Sequence, residues 1–220
     1  MRITPFAAVM LLFLSASVFA QTAATGSLNV IAPSVPRQQV DFFDGHHNEF
    51  GFWGGFSPNS SSLIGVSVDR SLSLFAARYG RLIHAGDHIT WKYTADFVPL
   101  AIVHQPVNHG PWEDRSHRES RYGAGIAPIG FQANFRPHQR IQPFLETAEG
   151  FLYFNRPTPY ADATNFNFTF DLGAGIQTFA PRHRSVSFGY KYHHISNAYT
   201  GRVNPGLDSN LFYVAYSLFK

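Results

Sequence analysis

Apolar and polar residues alternate along most of this chain with a period of two. In NFNFTFDLGAGIQTF the even positions are Phe166, Phe168, Phe170, Leu172, Ala174 and Ile176, and the odd positions are Asn165, Asn167, Thr169, Asp171, Gly173, Gly175 and Gln177. In HITWKYTADFV, Ile89, Trp91, Tyr93, Ala95 and Phe97 alternate with His88, Thr90, Lys92, Thr94 and Asp96. Successive side chains of a strand point to opposite faces, so each segment predicts a strand with one apolar and one polar face. Eight such segments occur, near 48–57, 71–83, 88–101, 121–136, 140–154, 164–180, 184–196 and 209–219. The second and fifth alternate less cleanly. Eight is an even number, as closed bacterial barrels require, and at that size side chains fill the lumen, so no pore is expected. Alternation alone also suits a soluble sandwich, whose apolar face is its core.

Composition separates the two. Only 14% of residues are charged, against about a quarter in water-soluble domains, while 16% are aromatic and Phe occurs 22 times. The opening MRITPFAAVMLLFLSASVFAQ places Arg2 before an apolar run and a small-residue exit at Ala20, the pattern of a cleaved signal peptide. The apolar run is far shorter than the roughly 20 residues of a spanning helix. The expected organisation is a signal peptide over 1–20, an irregular lead-in over 21–47 and a barrel over 48–220. With no cysteine in an exported chain, disulfides cannot hold the fold. An eight-stranded antiparallel transmembrane β-barrel of the bacterial outer-membrane type satisfies these constraints. Lys92, Asp96, Glu146, Asp171, Lys191 and His193 are the expected polar filling of its lumen.

The connections after the second, fourth and sixth segments are short (HAGDH, RPHQR, PRHRS), and the others are long. Short turns are periplasmic in such barrels, so the seventh strand rises toward the exterior. In that strand Val186, Phe188, Tyr190 and Tyr192 form the apolar series, and His194 and Ser196 continue it; in the last strand the outward series from Phe212 leads back to Asn210 and Asp208. A hairpin centred on Gly201 sets His194 opposite Asp208 with Ser196 diagonal to it, all three directed at lipid. Serine, histidine and acid on one patch is the nucleophile, base and orienter arrangement of acyl hydrolysis, although near the rim three polar residues also suit an ordinary interface. The adjacent pairs His193-His194 and His46-His47 do not indicate a metal, because neighbouring strand residues face opposite sides.

The segment YHHISNAYTGRVNPGLDSNLFYVAYSLF resembles the end of the PagL-type lipid A 3-O-deacylases, with His-x-Ser-Asn followed by Asn-Pro-Gly and an acid. YTADFVPLAIVHQP, FQANFRPHQRIQPFLETAEGFLYF and FNFTFDLGAGIQTF are similar to the family's barrel body. The resemblance implies an outer-membrane esterase that removes an acyl chain, at the 3-O position, from lipid A or lipopolysaccharide. It implies Ser196 as nucleophile, His194 as general base, Asp208 as orienter and Asn204 and Asn197 as oxyanion holders. It implies no cofactor, no metal and no nucleic-acid partner, and leaves open whether the protein forms a homodimer. The chain departs from the family in having Asp208 where Glu is usual, and in ending Phe219-Lys220. Arg115, Arg118 and Arg121 suit lipid A phosphates or simply a solvated loop. The competing readings are a non-catalytic structural or adhesive barrel and a soluble lipocalin-like carrier.

Overall fold

The structure, a computed structural model, describes residues 45–108, 113–181 and 183–220. The expected signal peptide and the lead-in up to residue 44 lie outside these. The described chain is all strand: β1 Asn48–Ser57, β2 Ser60–Ser61, β3 Ser71–Ala85, β4 Ile89–Asn108, β5 Glu113–Phe135, β6 Ile141–Thr158, β7 Thr164–Ala180, β8 Arg184–Ser196 and β9 Leu207–Phe219. The eight long strands pair antiparallel in chain order, and β1 pairs with both β3 and β9, so the sheet closes on itself. Closure leaves no unpaired long edge, which is the condition for a sheet to stand in hydrocarbon.

Exposure follows the period of two. On β1, Phe50, Phe52 and Phe56 face outward and are about half exposed, while Glu49, Trp53 and Ser57 face inward and are buried. The same division holds on β8, where Val186, Phe188 and Tyr190 point out and Ser185, Ser187, Lys191 and His193 point in. An apolar exterior around a charged interior identifies an outer-membrane barrel, since a soluble barrel would carry the reverse arrangement. Three of the predicted strands match in both bounds: β1, β7 and β8. β4 and β5 run well past the expected ends as one long hairpin, interrupted by register shifts at Val98/Ala101 and Pro106/Val107.

The lumen is packed in three layers. Toward the long loops it is apolar, with Leu72, Leu74, Val103, Leu152, Phe154, Ile195, Leu207 and Leu211 buried together. Apolar residues there line both faces of β3 and β6, which is why these two segments alternate poorly in sequence. The middle layer is ionic. Arg78 grips Asp96 with two nitrogens at 2.8 Å and reaches Glu146 at 3.0 Å, and Lys92 meets Glu49 at 2.6 Å. Lys191 lies 3.5 Å from Glu146 and 3.7 Å from Asp171, beneath the Trp53 ring, while His193 bonds to Asp171. All six expected lumenal residues are in this layer or beside it; Arg78 and Glu49 complete it. Toward the short turns Gln132, Asn134, Gln142 and Gln177 form an amide network.

Arg78 is the only cation within ion-pair distance of Asp96 among the described residues. Arg78→Ala should therefore leave two buried carboxylates short of a partner and cost about 3–5 kcal/mol. The expected result is a lower unfolding midpoint in detergent, read by the heat-dependent gel mobility of the barrel, with the same strand content at low temperature.

Candidate active site

β8 and β9 pair in the register that places His194 opposite Asp208. His194 Nδ1 and Asp208 Oδ1 are 2.6 Å apart, a short charge-assisted contact. The aspartate side chain thus spans the distance to the imidazole without the extra methylene of glutamate. Ser196 follows His194 by two residues on the same face, and β7 sets Phe170 against His194 and Phe168 against Ser196. With Nδ1 committed to Asp208, Nε2 is the imidazole atom left for proton transfer.

These residues have the outward parity expected of them, yet they are not open to lipid: His194 and Ser196 are each 5% exposed and Asp208 is 0% exposed. The cover is a strip between β1 and β3, in which exposed Ile64, Val66 and Val68 alternate with Gly65, Ser67 and Asp69. β2 opens it, with Ser60 pairing Ser209 and Ser61 pairing Asp208. The strip continues alongside the β8–β9 connection through Val66 N–H to Pro205 O at 2.7 Å and Ser67 N–H to Gly206 O at 3.2 Å. Between these anchors three successive amides, of Leu63, Ile64 and Gly65, donate to Asp208 Oδ2 at 2.7, 2.7 and 2.9 Å. Converging backbone amides form a small anion cradle and keep the carboxylate charged and fixed.

Two glycines permit this approach. A Cβ on Gly65 would lie 2.7 Å from the carbonyl carbon of Gly206, and one on Gly206 would lie 2.9 Å from Gly65 Cα and 3.0 Å from His194 Cε1. Gly206 also has a φ of +62°, where a side chain is disfavoured. The far end of the strip is tied down by Arg70, which bonds Val68 O and Glu113 and sits 4.5 Å from the Tyr160 ring centre. Arg118 holds both the carbonyl and the carboxylate of Asp69 at 3.0 Å. The outer surface of the strip is apolar, with Leu63, Ile64 and Val66 more than half exposed.

The turn after Ser196 is closed by Asn197. Its carbonyl accepts from Thr200 N–H at 2.9 Å, its Oδ1 from Tyr199 N–H at 3.1 Å, and its Nδ2 donates to Val203 O at 2.8 Å. Ala198 and Tyr199 both have positive φ within this turn. Asn197 N–H in turn donates to Asn204 Oδ1 at 3.0 Å. The Asn197 amide is thereby engaged in the loop, whereas the Asn204 side chain is oriented through its oxygen.

His193 lies on the opposite face from His194, buried in the lumen against Asp171, so the two rings serve separate networks. No group of three or more metal-ligating side chains occurs among the described residues. The loop arginines are engaged in protein contacts: Arg118 with Asp69, Arg121 with Glu119, and exposed Arg115 within 3.8 Å of Glu113. What the sequence did not signal is the amide cradle, because backbone donors leave no trace in side-chain pattern. Gly65 and Gly206 were its only visible marks.

Among solved structures, the outer membrane enzyme PagL aligns with a TM-score of 0.47 at 17% identity, covering 77% of this chain and 98% of that one. Neisserial surface protein A aligns with a TM-score of 0.45 at 13% identity, covering 78% and 96% respectively. No curated protein matches the sequence. The sequence profile described as Lipid A 3-O-deacylase (PagL) matches residues 91–217, which takes in β4 through β9, the His194–Asp208 pair and the turn that follows Ser196. A match over more than half of the chain places this protein in the PagL lipid A 3-O-deacylase family.

Proposed function

We propose that the protein is an outer-membrane esterase that hydrolyses an ester-linked acyl chain of lipid A, at the 3-O position, through Ser196, His194 and Asp208. The observation that carries this reading is the His194–Asp208 contact at 2.6 Å, with the acid held from behind by three amides and Ser196 two residues along the same strand face. A barrel that served only as scaffold has no need of a buried His–Asp pair on the same strand face as a serine. The long loops, which carry this site, face the cell exterior in this reading, and the short turns face the periplasm.

In the first half-reaction Ser196 Oγ attacks the ester carbonyl and its proton passes to His194 Nε2. Asp208 stabilises the imidazolium through Nδ1–H, and Asn204 Nδ2 donates to the tetrahedral oxyanion. Collapse breaks the bond to the sugar oxygen, which takes the proton from His194 and leaves an acyl-serine. Water then attacks that ester, again giving its proton to His194, and the free fatty acid departs as Ser196 recovers its hydrogen. Exposed Phe168 offers an apolar wall to the acyl chain beside Ser196, and the Leu63–Val66 surface offers another, so the substrate can arrive laterally from the leaflet.

Ser196→Ala should insert and fold as the parent does while releasing no fatty acid from lipopolysaccharide in detergent above the uncatalysed level. Undiminished release by a folded Ser196→Ala protein would end the assignment.

Asp208→Asn should lower the rate by about 10³- to 10⁴-fold, because the neutral amide no longer stabilises the imidazolium. The same variant weakens the cradle, so amide hydrogen exchange at Leu63, Ile64 and Gly65 should rise by about tenfold or more as charge-assisted bonds become neutral ones. A lost rate with unchanged exchange would separate the orienting role of Asp208 from its hold on the strip.

The two neighbouring histidines should part company. His194→Ala should abolish turnover with little change in thermal stability, whereas His193→Ala should lower the unfolding midpoint and retain turnover at temperatures where the barrel is folded. The reverse pattern in folded variants would contradict the face assignment.

A further inference from the structure

The charges at the two ends of the barrel are organised differently. At the long-loop end Arg70, Arg118, Arg121 and Arg156 each meet a carboxylate, with exposed Arg202 of the β8–β9 connection the exception. At the short-turn end Arg81, Arg136, Arg140, Arg184 and Lys220 are exposed, and none has an ion pair with any described residue. Asp87, itself exposed in the β3–β4 turn, is the one acid among the described residues of these turns. Glu49 is nearby in sequence but turns inward to Lys92.

Three of these cations stand on the lipid side of contiguous strands. Arg81 follows the outward series of Tyr79 on β3, Arg184 begins the outward series of Val186 and Phe188 on β8, and Lys220 continues that of Tyr216 and Leu218 from β9. The strand order β8, β9, β1, β3 joins them. Arg184 pairs with Leu218, Lys220 exchanges both backbone bonds with Asn48 at 2.7 and 2.9 Å, and Asn48 pairs with Arg81. Three strand steps of about 4.8 Å give a row roughly 15 Å long. Above it β1, β8 and β9 expose Phe50, Phe52, Phe188 and Val214.

We propose that this row holds the phosphate groups of anionic glycerophospholipids from the inner leaflet, their acyl chains lying on the aromatic surface above. A planar guanidinium at each end of the row matches phosphate diesters, an ammonium between them adds a third cation, and the spacing accommodates a lipid with two phosphates such as cardiolipin. A lipid with no net charge lacks the complement to three cations held without described counter-charges. Binding by this row is separate from catalysis at the other end of the barrel; only its assignment to the inner leaflet rests on the orientation proposed above.

The test uses the full-length protein in detergent, with cardiolipin or phosphatidylcholine added, and native mass spectrometry to count bound lipid. Wild type should retain cardiolipin in preference to phosphatidylcholine, and the preference should fall with added salt. Arg81→Gln combined with Arg184→Gln should bind cardiolipin about 10- to 30-fold more weakly, while Arg115→Gln at the other end should bind as wild type. Arg81→Lys with Arg184→Lys, which keeps the charge, should lie nearer wild type and serves if the glutamine pair folds poorly. Equal retention of the two lipids, equal cardiolipin binding by wild type and the glutamine pair, or a loss caused by Arg115→Gln would each overturn the proposal. Fatty-acid release measured on the same samples should be unchanged in the glutamine pair, so a failure here leaves the esterase reading standing.

Discussion

Closure of the sheet is the constraint on which everything else depends. Once β1 pairs with both β3 and β9, no strand can shift its register without carrying every side chain to the other face. That rule separates Lys191 and His193 from Tyr190, Tyr192 and His194 along a single strand. It also permits a dense ionic layer to sit inside a structure whose exterior is largely aromatic, because Arg78, Lys92 and Lys191 meet Asp96, Glu49, Glu146 and Asp171 away from hydrocarbon. Hydrogen bonds around Arg78 and Lys92, and ion pairs together with the Trp53 and Tyr213 rings around Lys191, offset the cost of removing these charges from water.

The candidate site uses the same rule and then modifies it. Parity delivers His194, Ser196 and Asp208 to the outward side of the sheet, where the strip then covers them. A bare His–Asp pair on that face would be mobile and solvated or unsatisfied in lipid. The strip beginning at β2 solves this by adding a short pairing to β9 and aiming three amides at the carboxylate. The acid is thereby bound on both oxygens, one by the imidazole and one by the backbone, so its position is set by the sheet and not by side-chain torsions alone. This also accounts for aspartate in place of glutamate: a longer side chain would have to displace either the cradle or the ring.

Much of this was legible in the sequence, for identifiable reasons. β7 and β8 alternate cleanly because one face meets lipid and the other a polar lumen, and the turn centred on Gly201 fixed the pairing of His194 with Asp208 in advance. β3 and β6 were less clear because their lumenal residues near the loops, Leu72, Leu74, Leu152 and Phe154, are as apolar as their lipid-facing ones. The extensions of β4 and β5 were missed because the β5 tip, rich in Arg, Glu, Ser and His, no longer separates two different solvents and the β4 tip is interrupted by Pro106. The strip was missed because Ile64, Val66 and Val68 alternate with Gly65, Ser67 and Asp69 over too short a run to stand out, and because its work is done by main-chain N–H groups and by the absence of side chains at Gly65 and Gly206.

The most direct test of the central claim is the mass spectrum of lipid A from bacteria that do and do not make this protein. Our account predicts that a lipid A species lacking one ester-linked acyl chain appears with the protein, accompanied by the corresponding free hydroxy fatty acid. Lipid A of unchanged mass in cells whose outer membrane contains the correctly folded barrel, with its loops accessible from outside, would contradict it.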